Sequence, residues 1–367
     1  MSESDKADTP EFLTSEQPAG QSTEELAPIL LRGDLHETIW GGQRLTAFAG
    51  KMIAEGMTVG ESWETANESV ALNPPYAGQS LGALVEALDE RLIGWRAAEV
   101  FGHRFPLLTK FIDAQQWLSV QVHPDDRYAA EYEGGKLGKT ETWYILHAEP
   151  GAKLVFGLAR EASQQEVREA IAANRLEELL YTFEAHAGDV IFVPAGTVHA
   201  IGAGIVLYEL QEYSDVTYRM YDYGRLQADG TPRELHVERS LDVMRCGPAE
   251  ATRVNPVVAP DARLDGERRV LVACEYFVEE ELRFHGAYAA ATTGASCHII
   301  SILDGACNLT VGETTLALGL GNTAVIPAAL GEYHLQSRDT ARLLCSYVPT
   351  RDDQDLSLWR NSQPHAG

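Results

Sequence analysis

Gly188-Asp-Val-Ile-Phe-Val-Pro194 reads as a glycine turn, a short apolar strand and a terminating proline. The same order returns as Gly321-Asn-Thr-Ala-Val-Ile-Pro327. Upstream of each copy, Thr142–Gly157 and His298–Gly312 both show a strand, a glycine-containing turn and a second strand. Two copies of one β-unit predict a mainly β chain built from two related barrels. Other runs rich in β-branched and aromatic residues, Thr140–His147 and Ile205–Glu212, read as further strands.

Two segments break the strand pattern. Ser80–Leu88 places Leu81, Leu84, Val85 and Leu88 on one helical face, and the helical region is expected to run over about 80–95. Ser163–Leu180 opens with Ser163 three residues before Glu166, a capping-box arrangement. Its apolar residues Val167, Ile171, Leu176, Leu179 and Leu180 change phase at Asn174, which predicts two short helices over 163–180. The predicted layout is a polar acidic tail over 1–27, a first barrel with the helical insertion over 28–250, a second barrel over 251–355, and a C-terminal tail over 356–367. The link falls near 250–260, where proline recurs and charge thins. The tail composition cannot offset the entropy of ordering, so it reads as disordered.

Composition narrows the function. With 45% hydrophobic residues the 367-residue chain can bury a large core. No apolar run is long enough to span a bilayer, and the first residues lack a basic patch followed by an apolar stretch. A formal charge of −25 argues against nucleic acid and anionic membranes as partners, although an acidic protein can carry a locally positive pocket. The five cysteines are odd in number and form no CxxC, which fits a reducing cytoplasm rather than a disulfide scaffold or a thiolate metal site. Nothing in the sequence decides between monomer and dimer.

Trp117-Leu-Ser-Val-Gln-Val-His-Pro124 reads as a strand, on which Gln121 and His123 share a face. Glu141 opens an apolar strand, where an inward carboxylate is costly unless paired or metal-bound. His199 follows a strand and a Pro-Gly turn in Val193-Pro-Ala-Gly-Thr-Val-His199. That pattern resembles the second motif of the cupin superfamily of jelly-roll barrels, with Gln121 where the first motif usually has a histidine. Two imidazoles, a carboxylate and an amide oxygen suit zinc, whereas two histidines and a carboxylate would also suit ferrous iron; spacing leaves the two open.

Seven segments in order resemble the type I mannose-6-phosphate isomerases, especially the short bacterial form. They are Ile39–Leu45, Gly60-Glu-Ser-Trp-Glu64, Phe105-Pro-Leu-Leu-Thr-Lys110, Leu118–Asp125, Gly138-Lys-Thr-Glu-Thr-Trp143, Val193–His199 and Ser214-Asp-Val-Thr-Tyr-Arg219. The resemblance covers roughly residues 28–245 and implies two cupin barrels. It also implies interconversion of mannose 6-phosphate and fructose 6-phosphate, with one zinc per chain on Gln121, His123, Glu141 and His199. The implied catalytic arginine is Arg219, the pocket lysines are Lys110 and Lys139, and the pocket glutamate is Glu209. Arg225 stands where some members have a pocket lysine.

The chemistry explains why such residues gather. Aldose–ketose isomerisation moves a hydrogen between C2 and C1 through an enediol(ate). It needs a Lewis acid for the developing oxyanion, groups that shuttle protons, and a remote phosphate anchor. Arg219 and Lys139 are candidates for the last two tasks. The competing structural reading of Arg219 is an ion pair with Asp215 or Asp222. Trp40 and Trp63 stand as sugar-lining or core aromatics, and a large aromatic is more often core. In the second copy, Glu332 falls at the offset of His199 and no QxH precedes His298, so that barrel is expected to be metal-free. An iron-dependent cupin oxygenase would have little use for Lys139 and Arg219. A non-enzymatic sugar-phosphate-binding cupin would not need all four metal ligands.

Overall fold

The computed structural model describes residues 26–227, 229–248 and 253–363. In the first barrel a six-stranded antiparallel sheet runs in the spatial order Val190–Val193, Glu141–Ala148, Ile205–Glu212, Leu107–Ala114, Val59–Trp63 and Asp34–Gly42. A five-stranded sheet runs Tyr218–Tyr221, Val120–Val122, His199–Ile201, Lys153–Leu158 and Leu180–Glu184. The two pack through Ile112, Trp143 and Ile145 on one side and Leu154, Phe156 and Ile201 on the other.

All eight residues of Ile205–Glu212 are buried, apolar from Ile205 to Tyr208 and then carrying Glu209, Gln211 and Glu212, each buried. Leu207 enters the barrel interior, while Tyr208 and Leu210 join a second core shared with the other barrel. That shared core sets Phe111, Tyr144 and Val190 against Val270, Phe277, Ile299 and Leu344.

The second barrel repeats the first in topology. Glu141–Ala148 pairs with Val190–Val193 and Ile205–Glu212, and likewise His298–Asp304 pairs with Thr323–Ile326 and Glu332–Tyr347. Lys153–Leu158 and Leu180–Glu184 have their counterparts in the hairpin Ala306–Val311 and Thr314–Gly319. The two glycine–strand–proline stretches therefore occupy the same place in two jelly rolls.

The two predicted helical regions form where expected. Ser80 Oγ accepts from the Ala83 amide and caps Leu81–Leu88, whose four predicted residues are buried. Helical turns continue through Glu90–Ile93 and Trp95–Phe101, past the expected end at 95, because the backbone amides of Trp95 and Arg96 dock on Gly294 and Ala295 of the second barrel. Ser163 Oγ caps Gln164–Ala172 through the Glu166 amide. The chain then breaks at Asn174 (φ 55°) before the 3-10 turn Leu176–Leu179.

Three expectations need correction. The strand around Gln121 spans only Val120–Val122, because the chain bends at Pro124 and enters a helix at Asp126. Ile29–Arg32, assigned to the first barrel, pairs with Thr323–Ile326 in the sheet of the second, and Ala27 is buried beside it. Residues 356–362, assigned to a tail, lie in the helix Gln354–Ser362; its Leu356 and Trp359 are buried, and Trp359 Nε1 donates to the Leu271 carbonyl. Both ends thus cover apolar surface of the second barrel. The predicted tail up to residue 25 and most of the predicted link at 249–252 lie outside the described residues. Among the described residues no helix is long and apolar enough to cross a membrane.

Candidate metal centre and substrate pocket

The site forms where the two sheets of the first barrel face each other. His199 and Gln121 are direct cross-strand partners, and Gln121 is also opposite Arg219. Glu141 comes from the facing sheet, paired with Gln211 and Val193. His123, Glu141 and His199 are buried, with ligand atoms all within 4.8 Å of one another. His199 Nε2 stands 3.3 Å from Glu141 Oε1, and His123 Nε2 stands 3.7 Å from Oε2. The Gln121 amide lies 3.2 Å from His199 Nε2, and a flip of that amide presents its oxygen instead.

Hydrogen bonds orient both imidazoles. His123 Nδ1 donates to the Val216 carbonyl at 2.9 Å and His199 Nδ1 to the Thr197 carbonyl at 2.8 Å. Carbonyls only accept, so each ring carries its proton on Nδ1 and turns the Nε2 lone pair toward the cluster. Burial pushes the His199 pKa down to about 4 and that of His123 well below its ordinary value. Both rings are neutral at pH 7, the form that binds a metal. Burial also raises Glu141, against the opposing charge of Lys139. Both Glu141 oxygens are buried without a well-formed hydrogen bond among the described residues. A buried carboxylate whose partner is the Lys139 ammonium, set between two imidazole lone pairs, suits a divalent cation.

Cations crowd the same space. Lys139 Nζ lies 2.7 Å from Glu141 Oε2 and 3.4 Å from His123 Nε2. Lys110 Nζ lies 3.2 Å from Glu209 Oε1 and 3.4 Å from Glu61 Oε2. Burial works against charge on Lys110, but Glu209 and Glu61 outweigh it and raise its pKa. Burial likewise works against charge on Glu209, but Lys139 and Lys110 outweigh it and lower its pKa, with the Trp143 indole donating at 3.2 Å.

Arg219 is set differently. Asp215 pairs with Lys136, and Asp222 is held by Arg225 and Arg233. The guanidinium of Arg219 donates to the Glu234 carbonyl at 2.8 Å, and its buried Nε has no partner among the described residues. Arg219 therefore makes no ion pair with either aspartate among the described residues, while Arg225, bound to Asp222 and to the Trp117 carbonyl, is a loop tie.

Gln121, His123, Glu141, His199, Lys110, Lys139 and Glu209 are thus brought together, with Arg219 opposite Gln121 on the neighbouring strand. Glu61 was missed, and the sequence leaves Trp63 between sugar-lining and core. Trp63 lies under Lys110 Nζ at 4.6 Å, and its indole donates to Glu61 at 2.5 Å. Glu61 and Trp63 alternate on one strand, so the period-two rule that joined Gln121 to His123 would have joined them too. Trp40 is core, packed with Ile112 and Leu118.

Fold and site together define a two-barrel cupin with, among the described residues, one buried candidate divalent-metal centre flanked by Lys139 and Lys110. The chain belongs to the type I mannose-6-phosphate isomerase family. Residues 29–149 match the phosphomannose isomerase type I catalytic domain, and residues 267–348 match the mannose-6-phosphate isomerase cupin domain. The mannose-6-phosphate isomerase of Streptococcus mutans is 40% identical over 82% of this chain and 92% of its own length. The crystal structure of the Bacillus subtilis mannose 6-phosphate isomerase is similar with a TM-score of 0.78 and 32% identity, over 88% of this chain and 99% of that one. A zinc-bound mannose 6-phosphate isomerase structure shares the fold, with a TM-score of 0.71 at 18% identity over 89% of this chain and 100% of that one.

Proposed function

We infer that the chain is a zinc-dependent isomerase interconverting mannose 6-phosphate and fructose 6-phosphate through an enediol(ate). The observation that carries this reading is the convergence of two imidazoles and the buried Glu141 carboxylate beside buried Lys139 and Lys110. An oxygenase would have no use for that cationic wall.

Gln121, His123, Glu141 and His199 would hold the metal. Bound there, zinc supplies Lewis-acid stabilisation of the charge that develops on O1 and O2. The protein groups divide the remaining work. Lys139 Nζ, buried beside the ligands, is placed to hold or pass a proton at a substrate oxygen. Glu209, kept ionised between two lysines, is the counter-ion that keeps them aimed inward. Lys110 is anchored from both sides, so its donors stay fixed while substrate binds. Arg219, with no carboxylate of its own, offers a planar fork to the phosphate or the enediolate. Binding energy spent on the phosphate orients the reacting carbons.

All five cysteines are free, which supports the cytoplasm as the working compartment. The test is turnover of mannose 6-phosphate, read as fructose 6-phosphate, by protein stripped with a chelator and then reloaded. Activity should vanish on stripping and return with zinc. A folded, reloaded protein without turnover would refute the assignment.

A further inference from the structure

The second barrel keeps a cavity of about 540 Å³, a size typical of small-molecule sites. Strand register maps the first site onto it. Glu141 lies opposite Val193 and His298 opposite Ile326, so His298 stands where Glu141 stands. Gln121 lies opposite His199 and Ala291 opposite Glu332, so Ala291 replaces Gln121 and Thr293 replaces His123. Lys110 lies opposite Glu209 and Glu280 opposite Cys345, so Glu280 replaces Lys110. Glu61 lies opposite Ile112 and Arg268 opposite Leu282, so Arg268 replaces Glu61. The Lys110–Glu61 ion pair thus returns with its charges exchanged, as Glu280–Arg268 at 2.6 Å.

The metal donors are gone, yet the space has not filled with apolar side chains, as a purely structural barrel interior would. Ala291 and Thr293 leave the mouth open. Three tyrosines line the wall with oriented hydroxyls. Tyr288 donates to Asp261 at 3.2 Å, Tyr347 donates to Asp355 at 3.0 Å, and the Tyr333 hydroxyl meets His298 Nδ1 at 2.9 Å. Arg268 bridges Glu280 and Asp355, and Arg263 pairs with Asp261.

We propose that this cavity is a second, metal-independent binding site for a neutral polyhydroxylated ligand of monosaccharide size. The lining carboxylates Asp261, Glu280, Asp353 and Asp355 outnumber Arg263 and Arg268, which disfavours a phosphate. A cation gains little either, because Asp261, Glu280 and Asp355 already have an arginine partner. Hydroxyls, carboxylates and guanidinium groups held in place by one another offer the fixed donors and acceptors that a sugar's hydroxyls require. The site is separate from the isomerisation and does not depend on it.

The experiment is saturation-transfer NMR on the full-length zinc-loaded protein, with D-mannose as the probe and fructose 6-phosphate occupying the first barrel. Transfer to mannose should persist under saturating fructose 6-phosphate and under inorganic phosphate. It should fall at least fivefold in Ala291→Phe and in Thr293→Phe, two exposed positions where a large side chain closes the mouth without entering the core. Both variants should keep the turnover of mannose 6-phosphate. Transfer absent from the parent protein, abolished by fructose 6-phosphate, or unchanged in both variants would overturn the proposal. Turnover is read separately, so a failure here is distinct from a failure of the isomerase assignment.

Discussion

Arg219 shows how a residue's task follows from what its neighbours leave it. Asp222, three residues away, is consumed by Arg225 and Arg233, and Asp215 by Lys136. Arg219 keeps its charge near the cluster without a carboxylate partner among the described residues. Replacing it with alanine should lower kcat by roughly 10²–10³-fold, the usual cost of losing one donor to transition-state charge. Metal content by atomic absorption should stay at one zinc per chain, since Arg219 is not a ligand; loss of zinc would reassign it to the metal centre. Sequence alone could list Arg219 and both aspartates but could not pair them. Arg233 reaches Asp222 across a loop whose path no periodicity encodes. The clustering of Gln121, His123 and Glu141 was more legible, because an inward glutamate at the head of an apolar strand and a period-two Gln-x-His each carry a local physical reason.

At the scale of elements, the signals that held were those with a hydrogen bond behind them. Ser163 was read as a cap because an oxygen there can take an orphaned helix amide, and its Oγ does accept from Glu166 at 3.2 Å. Ser163→Ala should cost about 1 kcal/mol in denaturant unfolding and leave kcat unchanged. A large loss of activity would mean that this helix shapes the pocket. The signals that failed were element ends. The strand at Gln121 is short and the helical run after Ser80 is long, because proline geometry and docking on the second barrel decided where they stop. Helix Gln354–Ser362 was missed since its few apolar residues only make sense against Leu271 and Phe192.

The whole molecule is two repeats joined through a common core, and the join has a titratable weak point. Glu279 is fully buried, and both its oxygens lack a partner among the described residues. Burial, reinforced by Glu281, raises its pKa well above the ordinary carboxylate value. The folded chain therefore holds a proton that the unfolded chain releases above about pH 4.3. Stability falls as pH rises from there until the folded pKa is passed. Glu279→Gln should raise the melting temperature at pH 8 and change it little at pH 4. An equal shift at both would contradict the linkage. The repeat itself was visible in two heptapeptides, but the crossing of Ile29–Arg32 into the second sheet was not, since a lone edge strand carries no mark of its partner.

The central claim is that this barrel holds one zinc on four named side chains. Anomalous diffraction at the zinc edge from crystals of the zinc-loaded protein tests it directly. One peak is expected within about 2.0–2.2 Å of His123 Nε2, His199 Nε2 and a Glu141 oxygen, with the Gln121 amide oxygen completing the set. A peak elsewhere, or none in protein that turns over mannose 6-phosphate, would contradict it.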